Sequence, residues 1–380
     1  MGTERTSIWR GRTIAAVAAL GALACAPRQL APPAARELPE RLSDSAFWAL
    51  ASSISEPGGY FRIEDNFTSN ETEVGQIFTM LRDRRISGDV FLGVGPEQNF
   101  TYIAAIRPKM AFIIDIRRQA VMQHLMFKAM FELAADRADF ISILFAKPRP
   151  PGLAAGSSIQ EIWEAFRTVA SDSAMASRNY ARVVERLTRA RGFSFTDQEW
   201  GQLKAVFQAF YYYGPSITTR GAPSGRGGDF AALTGFSNDM SGAPRSFLSS
   251  EDNYRFVKSL HERNLIVPVS GDFAGPTALR AIAEYLETHN AVVRAFYVSN
   301  VEQYLFGDGK DAAFYANVAA LPIDTASVFV RPHSLRRGFR GVVGAMDDRP
   351  TESLCPIGLF LRAVEGGRVL NNIDALSCPR

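Results

Sequence analysis

"GDVFLGVGPEQNF", residues 88–100, decides the architecture. Its apolar run 90–94 carries glycines at Gly93 and Gly95 and reads as a strand buried on both faces. The helical "NFTYIAAI" (99–106) follows, Pro108 punctuates, and "MAFIIDI" (110–116) is a second buried strand. A long amphipathic helix is expected over 119–135, with a further helical stretch ending near residue 145. Strand, helix, strand, helix implies parallel pairing with right-handed crossovers. The rhythm resumes with a helix near 250–263 and the strand "LIVPVS" (265–270). After it come the helix "TALRAIAEYLETH" (277–289), the strand "VVRAFYV" (292–298), a helix near 310–320 and the strand "SVFVR" (327–331). "IGLFLRAV" (357–364) reads as a last strand, open to antiparallel pairing. The expected fold class is α/β: a Rossmann-like, mostly parallel sheet with helices on both faces and a helical insertion.

The insertion is expected at 150–246. "KPRPPG" (147–152) breaks the α/β pattern, and 157–213 is helical in roughly three segments, the last opened by the capping-box spacing "TDQE" (196–199). From 214 to 244 the chain holds seven glycines and little hydrophobic period, which suits a lid, a binding loop or disorder. The sheet domain is thereby split into 43–149 and 247–380.

The N-terminus has the layout of a secretory signal over 1–24. Arg5, Arg10 and Arg12 precede "TIAAVAALGALA" (13–24), an apolar stretch too short to span a bilayer. "GALAC" resembles a bacterial lipobox, in which Cys25 is acylated and becomes the new N-terminus, although Ala22 stands where Leu is commonest. Plain cleavage after Ala24 is the rival reading. The Pro/Ala-rich 25–42 is a tether, and the expected location is exported, a periplasmic or cell-surface lipoprotein held to the membrane by an N-terminal lipid anchor. With Cys25 lipidated, Cys355 and Cys378 remain as a pair, either a disulfide stapling the C-terminus or two buried thiols. The 380 residues are 47% hydrophobic and 21% charged with a formal net charge of +3. Removing 1–24 takes three arginines and one glutamate and leaves +1. No nucleic-acid partner is expected from so even a balance.

In an open parallel sheet, ligands sit beyond the carboxyl ends of the strands near the switch point. Gly93 and Gly95 end the first strand, Glu97 and Asn99 occupy its turn, and Asp115 ends the second strand twenty residues after Gly95. An acid at that spacing commonly accepts hydrogen bonds from ribose hydroxyls, so these five residues make a candidate cofactor site. The third glycine of the usual fingerprint is absent, and Pro96 stiffens the turn and lacks a donor. Pyrophosphate cradling is therefore not expected, which demotes NAD and FAD. The plainer reading is a tight strand-to-helix turn with Asp115 capping the next helix.

The order of elements resembles the class I S-adenosylmethionine-dependent methyltransferase fold, with "LGVG" as motif I and Asp115 as the acid of motif II. The run 88–145 is similar to an uncharacterised bacterial family with methyltransferase-like folds. Three stretches also resemble the amino-carboxypropyltransferases of betaine-lipid synthesis: "QAVMQHLMFKAMFELAADRADFISILF" (119–145), "VSNVEQYL" (298–305) and the strand closing in Arg331. The resemblance implies S-adenosylmethionine as cofactor and places Asp272, Ser299, Asn300 and Glu302 in one cleft, as the candidate catalytic group. It has Asn66, Asn70 and Glu71 closing over the cofactor from the N-terminal side. For Asp272, Asn300 and Glu302, helix-capping and turn roles are the alternatives.

Other chemistries fit less well. His124, His261, His289 and His333 show no metal-ligand spacing, so no metal is expected. Around Ser270 a hydrolase elbow would need glycines where Pro268 and Asp272 stand. "YYY" (211–213) stacks a ligand, meets a lipid interface or packs a helix end. An exported chain and a cofactor made in the cytoplasm sit uneasily together. The first reading is therefore an exported, lipid-anchored methyltransferase-like domain with a divergent cleft for a small-molecule or lipid ligand. The alternatives are an active S-adenosylmethionine-dependent transferase acting on a lipid or small acceptor, and a non-catalytic partner-binding lipoprotein.

Overall fold

The computed structural model describes residues 37–62, 65–71, 74–221, 228–332 and 352–379. Cys25, the signal segment 1–24, the first part of the tether and His333 lie outside the described residues.

Five strands rich in Val, Ile, Phe and Ala are buried along most of their length and pair in parallel, as β-branched and aromatic runs without alternation should. They are β1 (Val90–Gly93), β2 (Met110–Asp115), β3 (Ile266–Ser270), β4 (Val293–Tyr297) and β5 (Val328–Pro332). A sixth, β6 (Glu352–Pro356), runs antiparallel to β5, pairing Val330 with Leu354. The order across the sheet is β3-β2-β1-β4-β5-β6. This is a Rossmann-like α/β fold, with the strand order reversing between β1 and β4. Phe91 pairs with Ala295 across that switch point, and Asp115 with Ser270 on the β2–β3 side. The carboxyl ends of four strands therefore meet along one edge.

Two groups of helices flank the sheet. Helix Arg118–Leu133 packs with Glu251–Glu262, and Ala278–Thr288 packs with Asp311–Ala319, which in turn meets Ile357–Glu365. Helix Arg118–Leu133 is buried nearly all round, because Asp197–Tyr213 and Ser173–Glu185 cover its far side. The helices of 150–246 thus form an extra layer, and one hydrophobic core runs through it: Phe127 meets Phe210 edge-on at 5.6 Å. Capping boxes at Ser158/Glu161 and Thr196/Glu199 start two of its helices. Within the glycine-rich stretch, a helix forms over Phe230–Gly235, capped by Asp229.

"IGLFLRAV" is not a strand. Residues Ile357–Glu365 are helical, and the antiparallel strand is the preceding "ESLCP". Ile357, Phe360 and Ala363 recur at helical spacing and are buried, while Leu359 is exposed, an arrangement that an apolar run read as continuous conceals. The strand end is held by Cys355, joined to Cys378 in a disulfide with Cα atoms 5.6 Å apart. That link ties helix Asn372–Leu376 beside helix Val301–Gly307, which follows β4.

The disulfide closes a loop of 23 residues. Chain entropy alone assigns it about 3 kcal/mol. Reductant, or Cys378→Ser, is expected to lower the thermal midpoint by several degrees; a midpoint indifferent to both would contradict a formed bond.

Candidate functional site

The turn after β1 is built from beneath. The Asn99 amide Nδ2 donates to the carbonyls of Val94 (2.9 Å), Gly95 (3.1 Å) and Pro96 (2.8 Å). Gly93 makes room for it, since a Cβ there would lie 2.0 Å from Asn99 Oδ1. Gly95 has φ +78°, a conformation that glycine adopts without steric cost. Its carbonyl also bonds His124 Nε2 at 2.8 Å, and burial lowers the His124 pKa to about 4, keeping the ring neutral with its proton on Nε2. The carbonyls of the turn are thus drawn inward by side chains, and helix Gln98–Ile106 starts directly behind Pro96 and Glu97.

Above this floor lies a cleft of about 230 Å³. Val94 and Gly95 from β1, Asp115 and Arg117 after β2, Gly271 and Asp272 after β3, and Ser299 and Asn300 after β4 all line it. Residues 55–61 cross the ends of β2 and β3, the Glu56 N–H donating to Ser270 O (2.7 Å) and the Gly59 N–H to Ile116 O (2.8 Å). They deliver Tyr60 and Phe61 to the rim, where Phe61 meets Tyr304 edge-on at 4.8 Å. Asn66 and Asn70 close the N-terminal side, and Thr219 reaches in from the glycine-rich stretch. A wider recess of about 640 Å³ lies in the helical layer. Its cations are already committed, Arg167 to Glu164 and Lys147 to the Val169 carbonyl, so the carboxyl-edge cleft is the better site.

Of the expected site residues, Gly95, Asp115, Asn70, Asp272 and Asn300 line the cleft together with Ser299 and Asn66. The others do not. Gly93 and Asn99 form the floor just described. Glu97 is buried and its carboxylate accepts from the Ser69 N–H at 3.1 and 3.2 Å, so it holds the 67–71 segment down and does not line the cleft. Burial pushes its pKa up to about 7. Glu71 turns inward to Tyr297 and Ser299, behind the wall. Glu302 sits below the site, 1% exposed, paired with Arg331 through two bonds of 2.6 and 2.8 Å and accepting from the Tyr315 hydroxyl at 2.8 Å. Arg331 lies between the rings of Phe329 and Phe360, 4.1 Å from each centroid. A charge in such surroundings must be paired, which explains Glu302 without catalysis.

Sequence reasoning missed several groups. Arg117 grips Asp115 with Nε on Oδ1 (3.0 Å), Nη2 on Oδ2 (2.7 Å) and its own N–H on Oδ1 (2.9 Å). The signal was local, an acid two residues before the donor it binds. Lys310 pairs with Asp272 at 3.1 Å, a contact between distant segments that no spacing announces. Glu56 takes the N–H groups of Asp272, Thr277 and Ala278 at 2.9–3.1 Å, the capping role that Asp272 was otherwise suited to.

A nucleoside cofactor can be tested against this donor set. A carboxylate has roughly four acceptor positions, and Arg117 takes three on Asp115. One remains, on Oδ2, enough for one hydroxyl of a ribose. Ile114 and Ile116 flank it as an apolar wall, and Asn66, Asn70 and Asn300 supply amides to the same space. The residues fit a nucleoside or other hydroxylated ligand and offer no phosphate cradle. Among the described residues, no cluster of three or more His, Cys, Asp or Glu is placed to hold a metal ion. Nor is any helix among them long and apolar enough to cross a membrane.

The chain belongs to the family described as Domain of unknown function (DUF7790), whose model matches residues 66–200 and 234–346. Those segments contain β1 to β5 and all four strand ends that form the cleft. No curated protein matches the chain.

Two outcomes check these assignments. Glu302→Ala leaves a fully buried guanidinium unpaired and should cost about 3–5 kcal/mol; a loss near zero would contradict the supporting role. Glu97 has a folded-state pKa above its ordinary 4.5, so its stabilising share is complete below that pH and is lost as pH rises through 7, up to about 3 kcal/mol. Glu97→Gln should flatten the fall in thermal midpoint between pH 5 and 8, whereas parallel curves for the two proteins would refute it.

Proposed function

We propose that the chain is an exported, lipid-anchored protein whose methyltransferase-like domain holds a small hydroxylated ligand in the carboxyl-edge cleft, with adenosyl compounds of the S-adenosylmethionine type as the first candidates. The observation that carries this is the convergence of Gly95, Asp115, Asp272 and Asn300, from four different strand ends, on one cleft at the switch point. The remaining acceptor on Asp115 suits a ribose hydroxyl, and the aromatic rim of Tyr60, Phe61 and Tyr304 suits a flat ring. The amides of Asn66, Asn70 and Asn300 give orientation without charge.

Export is supported by the basic and apolar leader ending in Ala24-Cys25, and by a disulfide between the two remaining cysteines, a bond that persists in oxidising compartments. Acylation of Cys25 would leave the tether to span the distance between membrane and domain. Transfer of a methyl or aminocarboxypropyl group to a lipid or small acceptor is the active form of the same reading, since the cofactor site would be shared.

Calorimetric titration of the purified chain with S-adenosylmethionine and S-adenosylhomocysteine tests the ligand class. Binding is expected in the wild type and weakened at least about tenfold in Asp115→Ala, the loss of one charge-assisted hydrogen bond being worth roughly 1.5–3 kcal/mol. Absence of binding to the folded wild type would overturn the adenosyl assignment.

A further inference from the structure

Ser299 stands out within the cleft wall. It lies between β4 and helix Val301–Gly307, and its φ is +47°. Eight non-glycine residues among those described have positive φ, and Ser299 is the one that lines the cleft. Asn264 and Asn290, two of the others, follow helices and belong to a residue type that tolerates the left-handed region; serine does so less readily. A strained serine at a sharp strand-to-helix turn is the backbone setting that nucleophile elbows use.

Its surroundings are those of an activated hydroxyl. Ser299 Oγ donates to Glu71 Oε1 at 2.7 Å. The other carboxylate oxygen accepts from the buried Tyr297 hydroxyl at 2.6 Å, and Gln98 Nε2 donates to that hydroxyl at 3.0 Å. Nucleophile, base and a third group that orients the base form a chain, the arrangement by which a weak nucleophile is prepared. Burial raises the pKa of Glu71 above the ordinary carboxylate range, which makes it a stronger base. Asn300 adds a donor. At the N-cap of helix Val301–Gly307 its side chain makes no capping bond, and the residue lines the cleft. Tyr304, Leu305 and Phe61 provide an apolar flank for an acyl group.

We propose that Ser299 is a nucleophile for acyl transfer, with Glu71 as its base and an ester or thioester as the substrate class. In the first step Oγ bonds to the acyl carbon and its proton passes to the Glu71 carboxylate. The bond to the alcohol or thiol breaks, and the departing group takes that proton. Water then attacks the acyl-serine, gives its proton to Glu71, and the proton returns to Oγ as the carboxylic acid leaves. Asn300 stabilises the oxyanion of each tetrahedral intermediate. The glycines that usually flank such a serine are absent: Tyr297 and Val301 hold those positions, Tyr297 serving as the orienting group. The proposal shares with the previous section the cleft and its Asn300, Phe61 and Tyr304 but neither the ligand nor the chemistry, so the adenosyl titration and the test below succeed or fail independently.

The test uses the purified chain with a fluorophosphonate probe and a p-nitrophenyl ester, read by peptide mass and by nitrophenolate release. A single adduct at Ser299 is expected. Ser299→Ala and Ser299→Gly should abolish both adduct and turnover, and the glycine variant should melt no lower than wild type because it relieves the positive φ. Glu71→Gln should still label at Ser299 but about a hundredfold more slowly, the usual size of a general-base contribution. A wild type with its normal melting transition and no adduct at Ser299 would overturn the proposal. So would hydrolysis that survives both serine variants.

Discussion

The Asn99 side chain donates to the carbonyls of Val94, Gly95 and Pro96, and the rest of the site depends on that arrangement. A buried amide that bonds three backbone acceptors rigidifies the turn, because without it each would lose a partner away from water, Gly95 keeping its bond to His124. It also explains the two glycines. Gly93 is needed because a Cβ would strike Asn99, and Gly95 because the chain takes a positive φ. Neither glycine is there to let a pyrophosphate approach. The helix that follows β1 begins over an internally bonded turn, and the cleft above it is lined by side chains from neighbouring strand ends.

Three glutamates around this cleft have the look of catalytic acids, and each has a different occupation. Glu97 fastens the N-terminal segment through the Ser69 N–H, Glu302 neutralises Arg331, and Glu71 orients Ser299. Buried carboxylates are costly unless bonded, and here each is bonded. For Glu97 and Glu71 burial outweighs these bonds and raises the carboxyl pKa, to about 7 at Glu97. The layer of helices over Arg118–Leu133 has another effect. It seals the far side of that helix with Phe127 and Phe210, so Gln123 and His124 can hold the segment at Phe67 and the turn at Gly95 from within the core.

The parallel strands were legible because burial on both faces leaves a dense signature of Val, Ile, Phe and Ala. Their ends were legible too: Gly95, Asp115, Asp272 and Asn300 each stop an apolar run, and the fold does bring them together. What escaped reading depends on partners far apart in sequence. Lys310 meets Asp272, Arg331 meets Glu302, and Ser69 meets Glu97. An isolated acid has no visible partner in a sequence, and so Glu97 and Glu302 passed for ligand-facing groups. The last strand was misplaced for a different reason. In "ESLCPIGLFLRAV" the apolar residues continue across the boundary, and only pairing with β5 and the bond to Cys378 divide strand from helix at Pro356.

The claim on which all of this rests is that the carboxyl edge of the sheet is where the protein meets its ligand. Hydrogen–deuterium exchange of the full chain, with and without a saturating adenosyl or ester ligand, addresses it without presupposing the chemistry. The account predicts slower exchange confined to 66–71, 94–98, 115–117, 271–273 and 299–305, four strand ends and the segment that covers them. Slower exchange centred on the helical layer at 159–216, with the strand ends unchanged, would contradict it.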